Sequence, residues 1–358
     1  MRRAMLAGSG FLFLVVVYFT AWPVPVDPLA WEAPPNPGYT GAFAVDSSLA
    51  GVEKLGLGDA TGPESVARDG AGRLYVATRG GAIVRLTAEG TAPVVWARTG
   101  GRPLGLVFNS AGTLFVADGA RGLLAIDTAG VVRLLADAVD GTPIHFADDL
   151  DVAADGHVYF SDASTKFGVR ARSDENASVL DVIEHGAHGR VLDWDPATGR
   201  ATVLRAGLDF ANGVAVAPDQ RSLLVSETGH YRILRIGLVG AERGKATPLL
   251  EQLPGFPDNI SPGGNGRFWV ALFSPRNALL DRLSAHPALR KVLLRIPGML
   301  RPKPTAYGHI IAIDSAGHVL DDRQDPSGRF PKMTDVLETE RYLYIGSLET
   351  TTLGRVPR

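Results

Sequence analysis

The sequence predicts an all-β fold, a six-bladed β-propeller, with an N-terminal transmembrane helix in front of it. Three observations predict this architecture. One hairpin pattern recurs six times along the chain, turn-forming residues are abundant, and an uncharged apolar stretch lies near the N-terminus. The 358 residues include 42 glycines and 24 prolines, more glycine than the roughly 7% that is usual in proteins. This composition is typical of many short strands joined by tight turns.

Composition and charge exclude several classes of function. The 36 Lys and Arg residues nearly balance the 38 Asp and Glu residues, and the chain has no run of basic residues, so no nucleic-acid partner is expected. A hydrophobic content of 45% is enough for a large core and excludes global disorder. The sequence contains no cysteine, which excludes disulfides, thiol nucleophiles, zinc ribbons and iron–sulfur clusters.

The first 22 residues predict a signal anchor. Arg2 and Arg3 precede residues 4–22, AMLAGSGFLFLVVVYFTAW, which carry no charge; as a helix they would be about 28 Å long, close to the ~30 Å hydrocarbon core of a bilayer. The two arginines would keep the N-terminus cytoplasmic, so the rest of the chain is expected on the periplasmic or lumenal side. The alternative is a cleaved signal peptide and a secreted protein, although no small-residue cleavage site is evident. Residues 23–40 are Pro-rich and predict a stiff extended linker.

The repeated hairpin predicts the propeller over residues 41–358. Each copy has a first strand, a turn and a second strand, at a spacing typical of propeller blades; four of the turns contain glycine and five of the second strands contain aromatic residues. The copies are ESVARDGAGRLYVAT from Glu64, LGLVFNSAGTLFVAD from Leu104, DDLDVAADGHVYFSD from Asp148, NGVAVAPDQRSLLVSE from Asn212, DNISPGGNGRFWVAL from Asp258 and TDVLETERYLYIGS from Thr334. A β-sandwich would not repeat one hairpin six times. Residues 41–55 predict an outer strand that closes the ring, and residues 276–304 predict a helical insertion in the fifth blade.

The residue that opens each first strand is expected to face the central channel, because the first strand of a blade is innermost. Four of the six opening residues carry side-chain oxygens suited to a hard cation such as Ca²⁺ rather than to zinc or copper: Glu64, Asp148, Asn212 and Asp258. The alternative is a water-filled channel of hydrogen-bonded polar groups. Leu104 and Thr334 open the other two first strands and are expected to line the substrate pocket.

The loops after the second strands should lie at the same mouth of the channel, because those strands run antiparallel to the first. They place titratable and aromatic side chains there, as a substrate pocket would require. His230 could equally be an ordinary solvated histidine. The predicted mouth residues are Lys166, Phe167, His230, Tyr231, Trp269 and Phe273.

Several motifs together resemble the strictosidine-synthase-like family. The motifs occur in the same order as in that family over about residues 60–358. They are GPES at 62–65, RPLGL at 102–106, DLDV and VYFSDAS within 149–164, FANGVAV at 210–216, PGFPDNI and GRFWVAL within 254–272, and LYIGSL at 343–348. The predicted anchor is similar to that of the membrane-anchored branch, the adipocyte plasma membrane-associated proteins. The wider clan contains gluconolactonases and paraoxonase-like arylesterases, propellers that hold a calcium ion in the channel.

The resemblance implies one channel Ca²⁺, with ligands at Glu64, Asp148, Asn212 and Asp258 and with Asn259 adjacent. Two positions depart from the family pattern. Thr334 stands where strictosidine synthases have a catalytic glutamate, and Leu104 stands where paraoxonases have a channel histidine. Neither the amine–aldehyde condensation nor the histidine-based lactonase mechanism is therefore expected. Asp148 stands where most relatives have asparagine, which adds negative charge for a cation.

These observations predict a membrane-tethered, calcium-dependent hydrolase of small esters or lactones, similar to arylesterases and lactonases. The sequence has no G-x-S-x-G elbow, phosphate-binding loop or dinucleotide fingerprint, which leaves a cation that polarises the carbonyl while water attacks. The predicted general base is Asp148 or Asp149, with His230 or His145 as rivals. The alternatives are a non-catalytic, membrane-anchored binding propeller and a strictosidine-synthase-type enzyme that forms a C–N bond.

Overall fold

The computed structural model describes the backbone of residues 2–358 and the side chains of residue 10 and residues 12–358. A first helix, α1 (Arg2–Ala21), precedes an extended segment and six four-stranded sheets. In the part of the chain that the structure describes, no helix combines the length and the apolar character needed to cross a membrane. The predicted anchor at residues 1–22 is therefore not supported by the structure. Met1 lies outside the described residues, as do the side chains of Arg2 and Arg3.

The strands are short and antiparallel, as the turn-rich sequence predicts. In chain order they are β1 (Glu53–Gly56), β2 (Pro63–Arg68), β3 (Leu74–Thr78), β4 (Ala82–Leu86), β5 (Val94–Arg98), β6 (Pro103–Phe108), β7 (Leu114–Asp118), β8 (Gly122–Ile126), β9 (Val132–Ala136), β10 (Ala138–Val139), β11 (Thr142–Pro143), β12 (Ala147–Val152), β13 (Val158–Asp162), β14 (Gly189–Asp195), β15 (Arg200–Leu208), β16 (Ala211–Val216), β17 (Ser222–Glu227), β18 (Arg232–Gly237), β19 (Ala246–Leu250), β20 (Gly255–Pro262), β21 (Phe268–Pro275), β22 (Gly308–Ile313), β23 (Val319–Asp325), β24 (Met333–Glu338), β25 (Tyr342–Ser347) and β26 (Thr352–Pro357).

Six of the sheets are the blades of a propeller, which confirms the predicted fold. Blades one to five are β2–β5, β6–β9, β12–β15, β16–β19 and β20–β23, and blade six is β24–β26 completed by β1. The innermost strands β2, β6, β12, β16, β20 and β24 contact one another in that order, and β24 contacts β2. The ring is closed by pairing of β1 with β26, from Glu53 opposite Arg355 to Gly56 opposite Thr352. The first and last strands of the propeller thus share one sheet.

The hydrophobic core lies between neighbouring blades. Each pair of adjacent sheets encloses a separate apolar cluster, such as the one that Tyr75, Ile83, Leu106 and Val116 form between blades one and two. Both faces of the middle strands are buried, which accounts for their continuous apolar runs. A further cluster lies above the channel mouth, where residues 174–184 and the N-terminal segment pack on the blades.

Three helices cover one end of the channel. The helix α2 (Asp174–Glu184) follows β13, and its N-cap Ser173 accepts a hydrogen bond from the Asn176 amide. The helices α3 (Ala278–Leu283) and α4 (Pro287–Arg295) follow β21, within the range 276–304 where the sequence predicts helices. Helix α4 contacts both α2 and α3, so the three form a cover over the mouth.

Residues 23–40, where the sequence predicts a stiff extended linker, lie on this cover. The Val26 side chain is buried in the cluster above the mouth, and the Leu29 amide donates to the Glu184 carbonyl at 2.9 Å. Arg276 Nη2 donates to the Pro34 carbonyl at 2.6 Å. Proline has no backbone N–H to donate, so the carbonyl groups of this Pro-rich segment need donors from elsewhere. Arginines of the cover supply such donors.

Candidate functional site

A cavity of about 210 Å³ lies between the channel and the helical cover. Its floor is polar, because Glu64, Asp148, Asn212 and Asp258 line it from four different blades. Its walls are mostly apolar and come from α2, α3, α4 and the blade loops; they include Leu104, Phe146, Ile183, Phe210, Phe273 and Leu294. This arrangement matches a binding site for a small, partly apolar molecule that carries one polar reacting group.

A shift in strand register sets the direction of the opening residues. In every blade the pairing between the first and second strands shifts by a residue at the opening residue of the first strand. In blade order, the shifts lie between Pro63 and Val66, Pro103 and Gly105, Ala147 and Leu150, Ala211 and Val214, Pro257 and Ile260, and Met333 and Val336. Such irregularities re-aim side chains. The opener lines the cavity in blades one to five, and the next residue can join neighbouring blades, as Asp149 does by accepting from the Val214 amide at 2.9 Å.

Burial and mutual repulsion dominate the electrostatics of the floor. Burial raises the pKa of Asp258, and the charges of Glu64 and Asp148 raise it further. The pKa of Asp148 is likewise raised, first by burial and then by the charges of Glu64 and Asp149. Burial also raises the pKa of Glu64 to about 7, although Arg102 opposes the shift. Burial and repulsion therefore favour the protonated forms of these carboxyl groups unless a cation compensates their charge.

Arg102 is a member of the site that the sequence-based reasoning missed as a functional residue. Its Nη2 lies 2.7 Å from Glu64 Oε2 and 2.8 Å from Asp174 Oδ2, and the side chains of all three residues are at least nine-tenths buried. Arg102 thus connects the floor to the first turn of α2. The sequence feature that could have indicated Arg102 is its position directly before β6, inside the motif RPLGL.

The floor fits a hard cation such as Ca²⁺. Its donors are three carboxylates and one amide, all oxygen ligands of the kind that Ca²⁺ prefers. Asn212 Oδ1 is buried and has no hydrogen-bond partner within the described part of the chain, as expected for an oxygen reserved for a ligand. The guanidinium of Arg102 neutralises only part of the negative charge.

Several predicted mouth residues do not line the cavity. Lys166 Nζ is paired with Glu184 at 2.5 Å, Phe167 is buried in the cluster above the mouth, and the Tyr231 hydroxyl donates to Asp281 Oδ1 at 3.0 Å. The loops fold back on the helical cover instead of into the channel. Of the predicted substrate-binding residues, Leu104 and Phe273 do line the cavity.

Two of the predicted catalytic residues also lie away from the cavity lining. Asp149 points towards blade four, with its carboxylate committed to the Val214 amide. His230 belongs to a cluster with His185 and Asp209 outside the cavity, and the rival His145 does not line it either. Asp148 is the predicted catalytic residue that the structure places on the floor.

The remaining predicted residues are buried in structural positions. Thr334 donates its hydroxyl to the Glu64 carbonyl at 2.6 Å and thereby joins blade six to blade one. Asn259 is buried beside Asp258 but does not line the cavity; neither of its amide atoms has a hydrogen-bond partner among the described residues. Trp269 lies near the start of β21, at the end opposite the mouth, where it donates to Glu338 Oε2 at 2.7 Å. Its prediction as a mouth residue is wrong.

Comparisons with known proteins agree with the sequence motifs. The family model described as "Strictosidine synthase" matches residues 148–240, and the model "Strictosidine synthase-like, N-terminal" matches residues 41–86. An adipocyte plasma membrane-associated protein of Salmo salar is 33% identical and covers 98% of this chain and 88% of its own length. The strictosidine synthase-like 10 protein of Arabidopsis thaliana is 34% identical and covers 84% of this chain and 86% of its own length.

Solved structures share the fold. A gluconolactonase from Xanthomonas campestris superposes with a TM-score of 0.63 at 20% identity, over 92% of this chain and 98% of its own. A calcium-binding protein, regucalcin, from Agrobacterium tumefaciens superposes with a TM-score of 0.58 at 16% identity, over 85% of this chain and 93% of its own. At these identities the likeness establishes the propeller fold alone.

Proposed function

The chain belongs to the strictosidine synthase-like family, and from that premise we propose that it is a calcium-dependent hydrolase of small esters or lactones. One observation carries the proposal: carboxylates from three blades and an amide from a fourth converge on the floor of a largely apolar cavity. Structural neighbours named gluconolactonase and calcium-binding regucalcin support both parts of it.

Glu64, Asp148, Asn212 and Asp258 would hold the calcium ion. When bound, it would supply positive charge that polarises a substrate carbonyl and balances the oxyanion formed during hydrolysis. The same charge would lower the pKa values of the three carboxyl groups and keep them ionised at neutral pH.

The protein's own residues would orient the substrate and move the proton. The apolar walls, with Phe146, Phe210 and Phe273, would bind the hydrocarbon part of an uncharged ester and exclude bulk water. Asp148 would accept a proton from the attacking water and return it to the leaving alkoxide, so that an ester and water give an acid and an alcohol. Asp148 suits this role because its carboxylate lines the cavity floor, where substrate and water would meet.

A panel of aryl esters and lactones, assayed with EDTA and then with excess Ca²⁺, tests the proposal. We expect hydrolysis to be lost with EDTA and restored by Ca²⁺. The ion should also raise the melting temperature, because binding at a hundredfold excess over Kd stabilises the folded state by about 2.7 kcal/mol. Asp258→Asn should abolish both responses. The control is Asp219→Asn, in the turn between β16 and β17 at the opposite end, where an asparagine can still accept from the Arg221 amide.

A non-catalytic binding propeller is the second candidate, and it is favoured by the finding that two predicted catalytic residues, Asp149 and His230, do not line the cavity. A binding propeller would have a calcium-dependent melting temperature and would hydrolyse no member of the panel. A melting temperature that Ca²⁺ does not change in the parent protein would reject the calcium site and both candidates with it. Condensation of an amine with an aldehyde stays the least favoured activity, since Thr334 stands at the position of the glutamate and does not line the cavity.

We also propose that the protein acts at a membrane, tethered through residues 1–22 with its propeller outside the cytoplasm. The uncharged residues 4–22 and the similarity to adipocyte plasma membrane-associated proteins support this location. Retention of the intact N-terminus in a carbonate-washed membrane fraction is the expected result. Recovery in the soluble fraction with a start near Pro23 would contradict the tether.

A further inference from the structure

A second cluster of metal-ligating side chains lies outside the cavity, where the end of α2 meets blade four. His185 is the C-cap of α2 and adopts a left-handed backbone conformation, with φ 53° and ψ 54°. Asp209 precedes β16, and His230 ends a short 3-10 helix after β17. Three separate segments of the chain thus bring two imidazoles and one carboxylate together.

The distances within this cluster suit a shared ion. His185 Nε2 lies 3.4 Å from Asp209 Oδ2, and His230 Nδ1 lies 3.3 Å from the same oxygen. One ligand atom from each residue lies within 4.8 Å of the other two. In a tetrahedral zinc site with bonds of about 2.0–2.2 Å, neighbouring ligand atoms are about 3.4 Å apart.

The ring nitrogens of His185 make no hydrogen bond among the described residues, and the charged group beside them is the Asp209 carboxylate. The His185 side chain is 4% exposed. An unpaired polar group at this depth is costly. Trp31 stacks on the imidazole face at 3.9 Å with an interplanar angle of 9°, which leaves the edge of the ring, where the nitrogens lie, open to a ligand.

The surroundings hold the carboxylate in a ligating position. Asp209 Oδ1 accepts from the Ala187 amide at 2.7 Å, so Oδ2 is the oxygen that faces the imidazoles. Glu227 Oε1 accepts from the Asp209 amide at 2.9 Å and lies 3.4 Å from His230 Nδ1. Arg232 in turn binds Glu227 Oε2 at 2.6 Å. Hydrogen bonds that orient metal ligands in this way are a regular feature of metal sites.

We propose that His185, Asp209 and His230 form a binding site for a first-row transition-metal ion, with Zn²⁺ as the fitting ion. Two imidazole ligands distinguish it from the oxygen-only floor of the cavity and select against Ca²⁺. The bound ion would fasten the end of α2 to blade four. Through Trp31 it would also hold residues 23–40 against the cover.

Metal titration of the full chain, without a histidine tag and stripped of metal by chelator, tests the proposal. Zn²⁺ is titrated in competition with a chromophoric chelator, and Co²⁺ is followed through its visible absorption. We expect one equivalent of each metal to bind and Zn²⁺ to raise the melting temperature. Quenching of Trp31 fluorescence by Co²⁺ should be missing in Trp31→Phe.

Single substitutions locate the site. His185→Gln should weaken Zn²⁺ binding at least tenfold and remove the thermal shift. His230→Gln, which leaves the buried His185 in place, should have the same two effects. The matched control is His318→Gln, since His318 is 77% exposed and lies outside the cluster; it should bind Zn²⁺ like the parent. If the stripped chain binds neither metal, or if both cluster variants bind Zn²⁺ as the parent does, the proposal is wrong.

Discussion

At the scale of single residues, Arg102 neutralises part of the negative charge of the channel floor. Its guanidinium is the cation that the structure pairs with Glu64, and it pairs with Asp174 of α2 through the same Nη2 atom. A buried charge that loses its partner is strongly destabilising. The same guanidinium would oppose the proposed calcium ion beside Glu64, because like charges repel.

Arg102→Met should therefore have opposite effects without and with calcium. Without Ca²⁺ we expect a loss of about 3–5 kcal/mol in the free energy of unfolding, because Glu64 and Asp174 lose a buried partner. With Ca²⁺ the gain in melting temperature should exceed that of the parent. Urea denaturation and thermal melts measure the two effects. Arg68→Met, which removes an exposed pair with Glu340, is the control and should change little.

Asp181 should impose a pH dependence on stability. Burial, helped by the charges of Asp209 and Glu184 and opposed by Ser164 and Lys166, raises its pKa to about 8. The folded state therefore holds this proton more tightly than the unfolded chain, whose pKa lies near 3.8. Its contribution is fully present below about pH 4 and is lost as the pH rises towards 8.

Asp181→Asn should remove that part of the pH profile. Compared with the parent, the variant should gain melting temperature steadily from pH 4 to pH 8, as thermal melts across this range would record. Asp219→Asn, in an exposed turn, should follow the parent. Parallel profiles of Asp181→Asn and the parent would contradict the raised pKa.

At the scale of elements, the helical cover is held together by one buried arginine. Arg290 of α4 donates to the Ile183 carbonyl at 2.7 Å and to the Ser284 carbonyl at 3.1 Å. It also donates to the Leu29 carbonyl of the N-terminal segment. One side chain thus joins α2, the end of α3 and residues 23–40.

Arg290→Met should loosen the cover without disturbing the blades. Buried carbonyls left without a donor cost about 1–3 kcal/mol, and hydrogen exchange should accelerate at the Leu29 and Trp31 amides, which donate to the same region. The exchange of β3 and β7 should stay unchanged. Arg282→Met, on the exposed face of α3, is the control, and equal acceleration in the two variants would contradict the role of Arg290.

At the scale of the whole molecule, stability depends on ring closure. Leu353 of β26 is fully buried between blades six and one, and it pairs with Leu55 of β1. Every blade packs on two neighbours, so an opening at this point removes support from both sides of the ring.

Leu353→Ala should destabilise the whole propeller by about 2–5 kcal/mol, the usual cost of this truncation in a core. Urea unfolding followed by tryptophan fluorescence and by circular dichroism should give one shared transition. Leu320→Ala, on the outer strand β23 where the side chain is 55% exposed, should cost far less. Separate transitions for the two probes would show that the blades unfold independently.

The sequence by itself determined the repeating part of this protein. Hairpins and turns depend on neighbours in the chain, so six copies of one pattern predict six blades, and the opener of each copy predicts which residues face the channel. Glu64, Asp148, Asn212 and Asp258 meet at the cavity floor for this reason. The resemblance to a known family added calcium as the expected ion.

The tertiary structure alone decided what covers the channel and which charges meet there. The pairing of Arg102 with Glu64 and Asp174 joins residues 38 and 72 positions apart, and residues 23–40 reach α2 and α4 across more than a hundred residues. His230 and Tyr231 turn towards that cover and away from the channel. No local pattern encodes such contacts, because they arise from the packing of irregular segments that are distant in the chain.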